Sequence, residues 1–168
     1  MITRQFQKDD AASIAQYSDC ERYRYALTRV WDTDGLRLTY VMLNPSKATE
    51  IQNDPTIERC ERRARTLGYG GFRAVNIFAW RETDPAKMKR AKDPIGPEND
   101  AALIDASIWT DHILCSWGTH GAFLNRGPDV LRLLKTTKKP MYHLGLTKDQ
   151  HPRHPLYISY KTQPMSWF

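Results

Sequence analysis

The chain has 168 residues, a length typical of one domain that folds without disulfides or metal ions. Its 25 Lys and Arg against 19 Asp and Glu give a formal charge of +6, which favours a polyanionic partner such as nucleic acid or a nucleotide. Three separated cysteines, no signal-peptide pattern and no apolar membrane span predict a single cytoplasmic domain over 1–168 that does not associate with membranes.

The first half of the chain contains a hairpin pattern and a helix pattern. Aromatic and branched residues over 23–31 and 36–43 flank an Asp-Gly step, which is typical of a hairpin turn. We therefore predict an antiparallel hairpin whose second strand runs into Asn44. Asp54, followed by proline, is a typical helix start, and apolar spacings of three and four predict a helix over 55–67.

The second half alternates strands with helices. We predict a loop or frayed helix over 81–92 and a packed aromatic tail over 157–168. The regular elements are a strand over 72–78, a helix over 98–107, a strand over 112–117, a helix over 128–135 and a strand over 141–144. Such alternation implies right-handed crossovers. The expected fold is α/β, a three-layer sandwich with a four-stranded mainly parallel sheet plus an N-terminal antiparallel hairpin strand.

A polar, Gly- or Pro-containing cluster follows each strand of the predicted parallel sheet. The clusters are 43–46, 76–78, 117–121 and 145–155. The carboxyl ends of parallel strands meet at one edge, where open α/β sheets bind ligands. Asn44, held by Pro45, either orients a water or ligand or caps the strand in an Asx turn. Asn76 either ties neighbouring loops together or presents a donor and an acceptor in one plane to a pyrimidine edge.

The last two clusters carry the remaining candidates. Trp117 either fills the core or borders a site, and the glycines from Gly118 onward let a ligand or a helix approach the backbone. The string His151-Pro152-Arg153-His154-Pro155 is either a rigid surface loop or a stiff loop that presents two imidazoles and a guanidinium to an anion. The histidine spacing does not match a metal site, and no glycine-rich nucleotide motif occurs, so we predict no metal and no cofactor.

Strings distributed over nearly the whole chain resemble the bacterial and phage family catalogued as domain of unknown function 1643. They are Tyr23-Arg24-Tyr25, Met42-Leu43-Asn44-Pro45-Ser46, Asp54-Pro55-Thr56, Asn76-Ile77-Phe78-Ala79, the segment 93–100, Trp117-Gly118 and the segment 151–156. This resemblance brings no established activity.

In their order, the four clusters are also similar to the motifs of the uracil-DNA glycosylase superfamily. That resemblance implies a uracil-DNA glycosylase-like fold, in which Asn44 positions the attacking water, Asn76 reads the base edge and His151 stabilises charge on the departing base. Phe78 and Trp80 are the candidates for stacking on the base. The usual Leu-bearing wedge that opens a duplex has no counterpart, so single strands, modified nucleotides or free nucleotides are the expected substrates.

Two functions fit these patterns. The first is a metal-independent hydrolase, a glycosylase that acts on a normal or modified base in single-stranded nucleic acid or a nucleotide, with Asn44, His151 and His154 as catalytic residues. The predicted substrate-binding residues are Pro45, Ser46, Lys47, Asn76, Phe78, Trp117, Gly118 and Arg153. The second is a non-catalytic nucleotide or nucleic-acid binding module with the same pocket. A phosphoryl hydrolase fits less well, because only Asp54 and Asp149 lie near the clusters.

Overall fold

A mixed eight-stranded sheet forms the centre of the computed structural model, which describes residues 1–168. The strands are β1 Ile2–Lys8, β2 Ala11–Tyr17, β3 Arg24–Val30, β4 Arg37–Met42, β5 Gly71–Asn76, β6 His112–Cys115, β7 Met141–His143 and β8 Met165–Ser166. Their order across the sheet is β1-β2-β3-β5-β4-β6-β7-β8. The strands β5, β4, β6 and β7 are parallel, and the other neighbouring pairs are antiparallel, which makes most pairings antiparallel.

Four α-helices connect the strands: α1 Pro55–Thr66, α2 Pro85–Lys89, α3 Asn99–Trp109 and α4 Arg126–Lys135. A kinked 3₁₀ segment, Thr119–Asn125, precedes α4. The predicted start of α1 is confirmed, because Asp54 is its N-cap and its side chain accepts a hydrogen bond from the Ile57 amide. No helix of the chain combines the length and the apolar character that a bilayer span requires.

Helices cover both faces of the parallel part of the sheet. Alternate residues of β4 point to opposite faces, as a strand requires. Tyr40 and Met42 pack in one buried cluster with Cys60 of α1, whereas Val41 packs in a second cluster with α3 and α4 residues such as Leu103. The α/β class is therefore confirmed.

The sheet is larger than the sequence predicted. β1 and β2 form an N-terminal hairpin over 2–17 that we did not predict. Apart from Ile2 and Phe6 the side chains of β1 are polar, and five of its seven residues are exposed, so the strand gives no alternating apolar pattern to detect.

The predicted hairpin between 23–31 and 36–43 is wrong, because β5 lies between β3 and β4. The turn itself forms, with the Gly35 amide donating to the Asp32 carbonyl at 3.1 Å. Gly70 packs against it so closely that a Cβ on Gly35 would lie 2.7 Å from the Gly70 Cα. The Gly70 carbonyl accepts from the Trp31 and Asp32 amides, and the Gly70 amide donates to Leu36. Because Gly35 and Gly70 have no side chains, the start of β5 can pack directly against this turn.

The C-terminal tail packs on the fold, as predicted. β8 pairs with β7, and the ring of Trp167 lies 6.0 Å from that of Trp117 and 5.7 Å from that of His143, measured between centroids.

Candidate functional site

A cleft of about 560 Å³ opens at the carboxyl ends of the parallel strands. It lies between the loops that follow β4 and β6. After β4 the chain continues into α1 on one face of the sheet, whereas after β6 it continues towards α4 on the opposite face. The two loops therefore diverge and leave a space between them. Open α/β sheets bind ligands at such a switch point, and the volume is that of a small-molecule site.

Asn44 lies in the cleft wall and is held by backbone carbonyls. Its Nδ2 donates to the carbonyl of Glu82 at 2.6 Å and to that of Pro45 at 3.4 Å. Its Oδ1 accepts no hydrogen bond within the chain. Both donors of the amide are thus used to fix its orientation, and its acceptor is free to hold a water or a ligand N–H.

Asp54 lines the cleft and connects the loop after β4 to the first turn of α1. Its Oδ1 accepts from the Ile57 amide at 2.9 Å, and its Oδ2 accepts from the Ala48 amide at 3.2 Å. This carboxylate therefore caps α1 and fixes the loop after β4. No group of three or more His, Cys, Asp or Glu side chains is arranged to hold a metal ion.

His154 lines the cleft together with Asp54 and has a defined tautomer. The Leu156 amide donates to its Nδ1 at 3.2 Å, so the neutral ring carries its proton on Nε2. Burial lowers the pKa of His154 below the usual value, and the nearby charge of Asp54 opposes that shift. The neutral imidazole is a hydrogen-bond donor through Nε2 at neutral pH.

We expect acidification to weaken the fold through this histidine. A histidine whose folded pKa is depressed binds a proton more readily in the unfolded chain, so its contribution to stability is complete above a pH of about 6.5 and falls as the pH drops below that value. Urea unfolding at pH 7.5 and pH 5, for the wild type and His154→Gln, measures this contribution. The substitution should reduce the pH dependence but leave the part due to His120 and His143, whose pKa values burial also lowers. An unchanged pH dependence in the variant would contradict this assignment.

The family model described as Protein of unknown function (DUF1643) matches residues 24–156, which include every segment of the cleft wall. The chain belongs to this family. No curated protein and no solved structure matches this DUF1643 chain.

Most of the predicted site residues of the DUF1643 chain come together. Six line the cleft: Asn44, Ser46, Lys47, Trp117, Gly118 and His154. Pro45 and Asn76 line a smaller cavity of about 30 Å³ behind it, which we call the inner cavity. Asn44, Ser46 and His154 border both spaces, so the inner cavity adjoins the cleft.

Three predicted residues lie elsewhere. Phe78 is fully buried in the core, where its ring packs 5.7 Å from that of Phe123. His151 and Arg153 belong to a loop that folds back on itself, through a bridge between Leu146 and Pro152 and through an Arg153 amide that donates to Gly145 at 2.9 Å. Neither side chain lines the cleft or the inner cavity.

The glycines after β6 have different roles. Gly118 has φ 74° and ψ −171°, a conformation that favours glycine, and its amide donates to the Pro152 carbonyl at 2.7 Å. It thereby ties the loop after β6 to the loop that carries His154. Gly121 serves packing, because a Cβ there would lie 2.2 Å from the Trp117 ring.

Asn76 is 1 % exposed, and neither its Nδ2 nor its Oδ1 has a hydrogen-bond partner within the chain. An unpaired buried polar atom costs about 1–3 kcal/mol.

Three residues that line the cleft or the inner cavity were not predicted as site residues from the sequence. Arg24 lines the inner cavity, and its buried Nε is also unpaired. A charged residue within the apolar strand 23–31 was the available signal. The other two are Glu82 and Thr83, which lie in the segment 81–92 that we predicted as a loop or frayed helix.

Proposed function

We propose that the chain binds a nucleobase at the cleft and hydrolyses its N-glycosidic bond. Asn44 Oδ1 holds the attacking water, Asn76 binds the base edge, and the Nε2–H of His154 donates to the departing base. The glycosidic C–N bond breaks with its electron pair on the base, the water oxygen bonds to the sugar carbon, and a water proton transfers to the base nitrogen. Preorganised hydrogen bonds to the departing base supply the stabilisation.

The unpaired amide of Asn76 carries this proposal. Its cost is offset when a ligand presents an acceptor and a donor side by side in one plane, which is what a nucleobase edge offers. The inner cavity of about 30 Å³ has room for water only. The ring itself therefore occupies the cleft, and only its edge reaches the inner cavity.

The order of the strand-end residues supports the same reaction. Asn44, Asn76 and Trp117-Gly118 follow the motif order of the uracil-DNA glycosylase superfamily, and we extend the proposal to a fold of that kind. We assign the histidine role to His154 instead of His151 because His154 lines the cleft.

The charges near the cleft favour a phosphate-bearing substrate. The α1 arginines Arg62 and Arg65 are neutralised by ion pairs with neighbouring carboxylates. Lys47 in the cleft wall forms no ion pair, and neither do Lys87 and Lys89 of α2, the helix whose first residue, Pro85, lines the cleft. Unpaired cations of this kind suit the backbone of a single strand.

Release of free base from single strands that carry uracil or modified bases tests the proposal. We expect release by the wild type and at least about tenfold slower release by Asn44→Ala, because the water loses its acceptor. Asn125→Ala, an exposed asparagine outside the cleft, is the matched control and should retain wild-type rates. No release from any base, with Asn44→Ala indistinguishable from the wild type, would reject the hydrolase.

One observation favours the non-catalytic alternative, a binding module for a nucleotide or nucleic acid. Both oxygens of Asp54 already accept backbone amides, and Glu82 Oε1 accepts from Thr83 and Asp84, so the cleft has few carboxylate atoms free to deprotonate water. Such a module binds saturably without turnover, and its affinity for a strand falls steeply with salt. Mass spectrometry of the ligand after prolonged incubation separates the two functions, because only an enzyme changes it.

A further inference from the structure

The inner cavity contains a buried cation whose hydrogen-bonding capacity is mostly unused. Arg24 of β3 is 2 % exposed and lines this cavity beside Asn76. Its Nη1 donates to the Ala48 carbonyl at 2.9 Å, whereas its Nε has no partner within the chain. Its side chain forms no ion pair with a carboxylate.

The other three buried arginines of the fold, Arg29, Arg63 and Arg126, each make more side-chain hydrogen bonds than Arg24, although the Nε of Arg29 is also unpaired. Arg126 donates to the Ile77 carbonyl and forms an ion pair with Asp100. Arg29 donates to Ser13, Thr49 and Asn53, and Arg63 donates to the carbonyls of Ile158, Ser159 and Thr162. Those guanidinium groups hold loops in place. Arg24 makes a single hydrogen bond and borders an unfilled cavity, so structural support does not account for burying its charge.

The charges around Arg24 leave it protonated. Burial lowers its pKa to about 10, while Asp54 and Tyr17 oppose the shift and the cations Arg29 and Arg81 reinforce it. Asp54 is occupied by two backbone amides, and His154, the other titratable group of the inner cavity, is neutral. At neutral pH Arg24 is therefore a buried cation that forms no ion pair, although the Asp54 carboxylate lines the same cavity.

We propose that Arg24 is the specificity-determining residue of this site, and that it selects nucleobases that carry negative charge on the ring edge facing the inner cavity. The proposal rests on the proposed function, since it needs a base in the cleft. A base whose ring N–H is acidic gains a charge-assisted hydrogen bond from the guanidinium when that proton is lost. The same interaction would stabilise the negative charge on a base that departs with the electron pair of its glycosidic bond. The neutral imidazole of His154 can donate a hydrogen bond to that base but carries no charge.

Equilibrium binding of free bases tests this inference without any need for turnover. Uracil is neutral at pH 7 and 5-nitrouracil is ionised, whereas cytosine has only one ring N–H, at N1, and keeps it at pH 7. We expect the wild type to bind 5-nitrouracil at least about tenfold more tightly than uracil, and cytosine no better than uracil. Arg24→Met, which keeps the length of the side chain without its charge, should reduce the ratio between 5-nitrouracil and uracil to about one.

Two further variants keep the result interpretable. Arg22→Met removes one charge from a nearby exposed arginine and should preserve the wild-type ratio. Arg24→Lys keeps the charge and should preserve part of it, even if Arg24→Met fails to fold. Equal affinities of the wild type for 5-nitrouracil and uracil, or an unchanged ratio in folded Arg24→Met, would overturn the inference. Absence of binding by all three bases would instead reject the proposed base site as a whole, and binding with the expected ratio but no base release would reject only the hydrolase.

Discussion

Asn76→Ala is expected to change the free energy of unfolding by less than about 1 kcal/mol, whereas Asn99→Ala should lower it by about 2–4 kcal/mol. Both side chains are buried, at 1 % and 0 % exposure, so truncation removes the same atoms from the same kind of environment. Asn99 donates to the carbonyls of Asn76 and Ile77 at 2.8 and 3.2 Å, and its loss leaves both without that donor. The Asn76 amide makes no bond to lose.

Asn76→Ala should weaken ligand binding strongly, although it changes the stability of the fold only slightly. Asn76→Ala removes the group that binds the base edge, so we expect at least about a tenfold loss of affinity in a protein of nearly wild-type stability. Urea denaturation of both variants and titration with a nucleobase provide the two measurements. If Asn76→Ala is destabilised as much as Asn99→Ala, the Asn76 amide supports the fold and is not reserved for a ligand.

The unpaired amide of Asn76 could not be predicted from the sequence, whereas α1 and the position of the strand-end clusters could be. The signals for α1 are local, since Asp54 caps the helix and its apolar stripe has helical spacing, and the sequence therefore places it correctly. The strand-end clusters were also predictable, because the carboxyl ends of parallel strands must share an edge. Whether an amide such as that of Asn76 finds partners depends on side chains distant in sequence, which no local pattern specifies.

Contacts between residues distant in sequence also decide where His151 and His154 lie and why the predicted hairpin over 23–43 is wrong. The sequence contains two histidines in one five-residue string, and only the fold-back of the loop, through the contact of Leu146 with Pro152, leaves His154 in the cleft and His151 outside it. The insertion of β5 between β3 and β4 depends on the close approach of Gly35 and Gly70, which are far apart in the chain. Non-local backbone contacts decide both outcomes.

Arg63→Ala is expected to lower the free energy of unfolding by about 3 kcal/mol or more, whereas Arg62→Ala should change it by less than about 0.5 kcal/mol. The two residues are neighbours on α1, but Arg63 is 2 % exposed and donates to three carbonyls of the C-terminal tail at 3.0–3.2 Å. Its guanidinium also lies 5.4 Å from the centre of the Tyr160 ring. The Arg62 side chain is 66 % exposed and makes one ion pair with Glu58 within the same helix.

Arg63→Ala should also affect the cleft. The tail held by Arg63 begins directly after Leu156, and both Leu156 and His154 line the cleft. Loss of the three carbonyl contacts should therefore release the tail and loosen the loop that positions His154, so that Arg63→Ala weakens ligand binding as well as stability. Limited proteolysis should cut the tail of Arg63→Ala faster than that of Arg62→Ala, with urea denaturation giving the difference in free energy. Equal stability and equal cleavage of the two variants would show that β8, Trp167 and the contact of Arg59 with Ile158 hold the tail without Arg63, and that the histidine loop needs no support from Arg63.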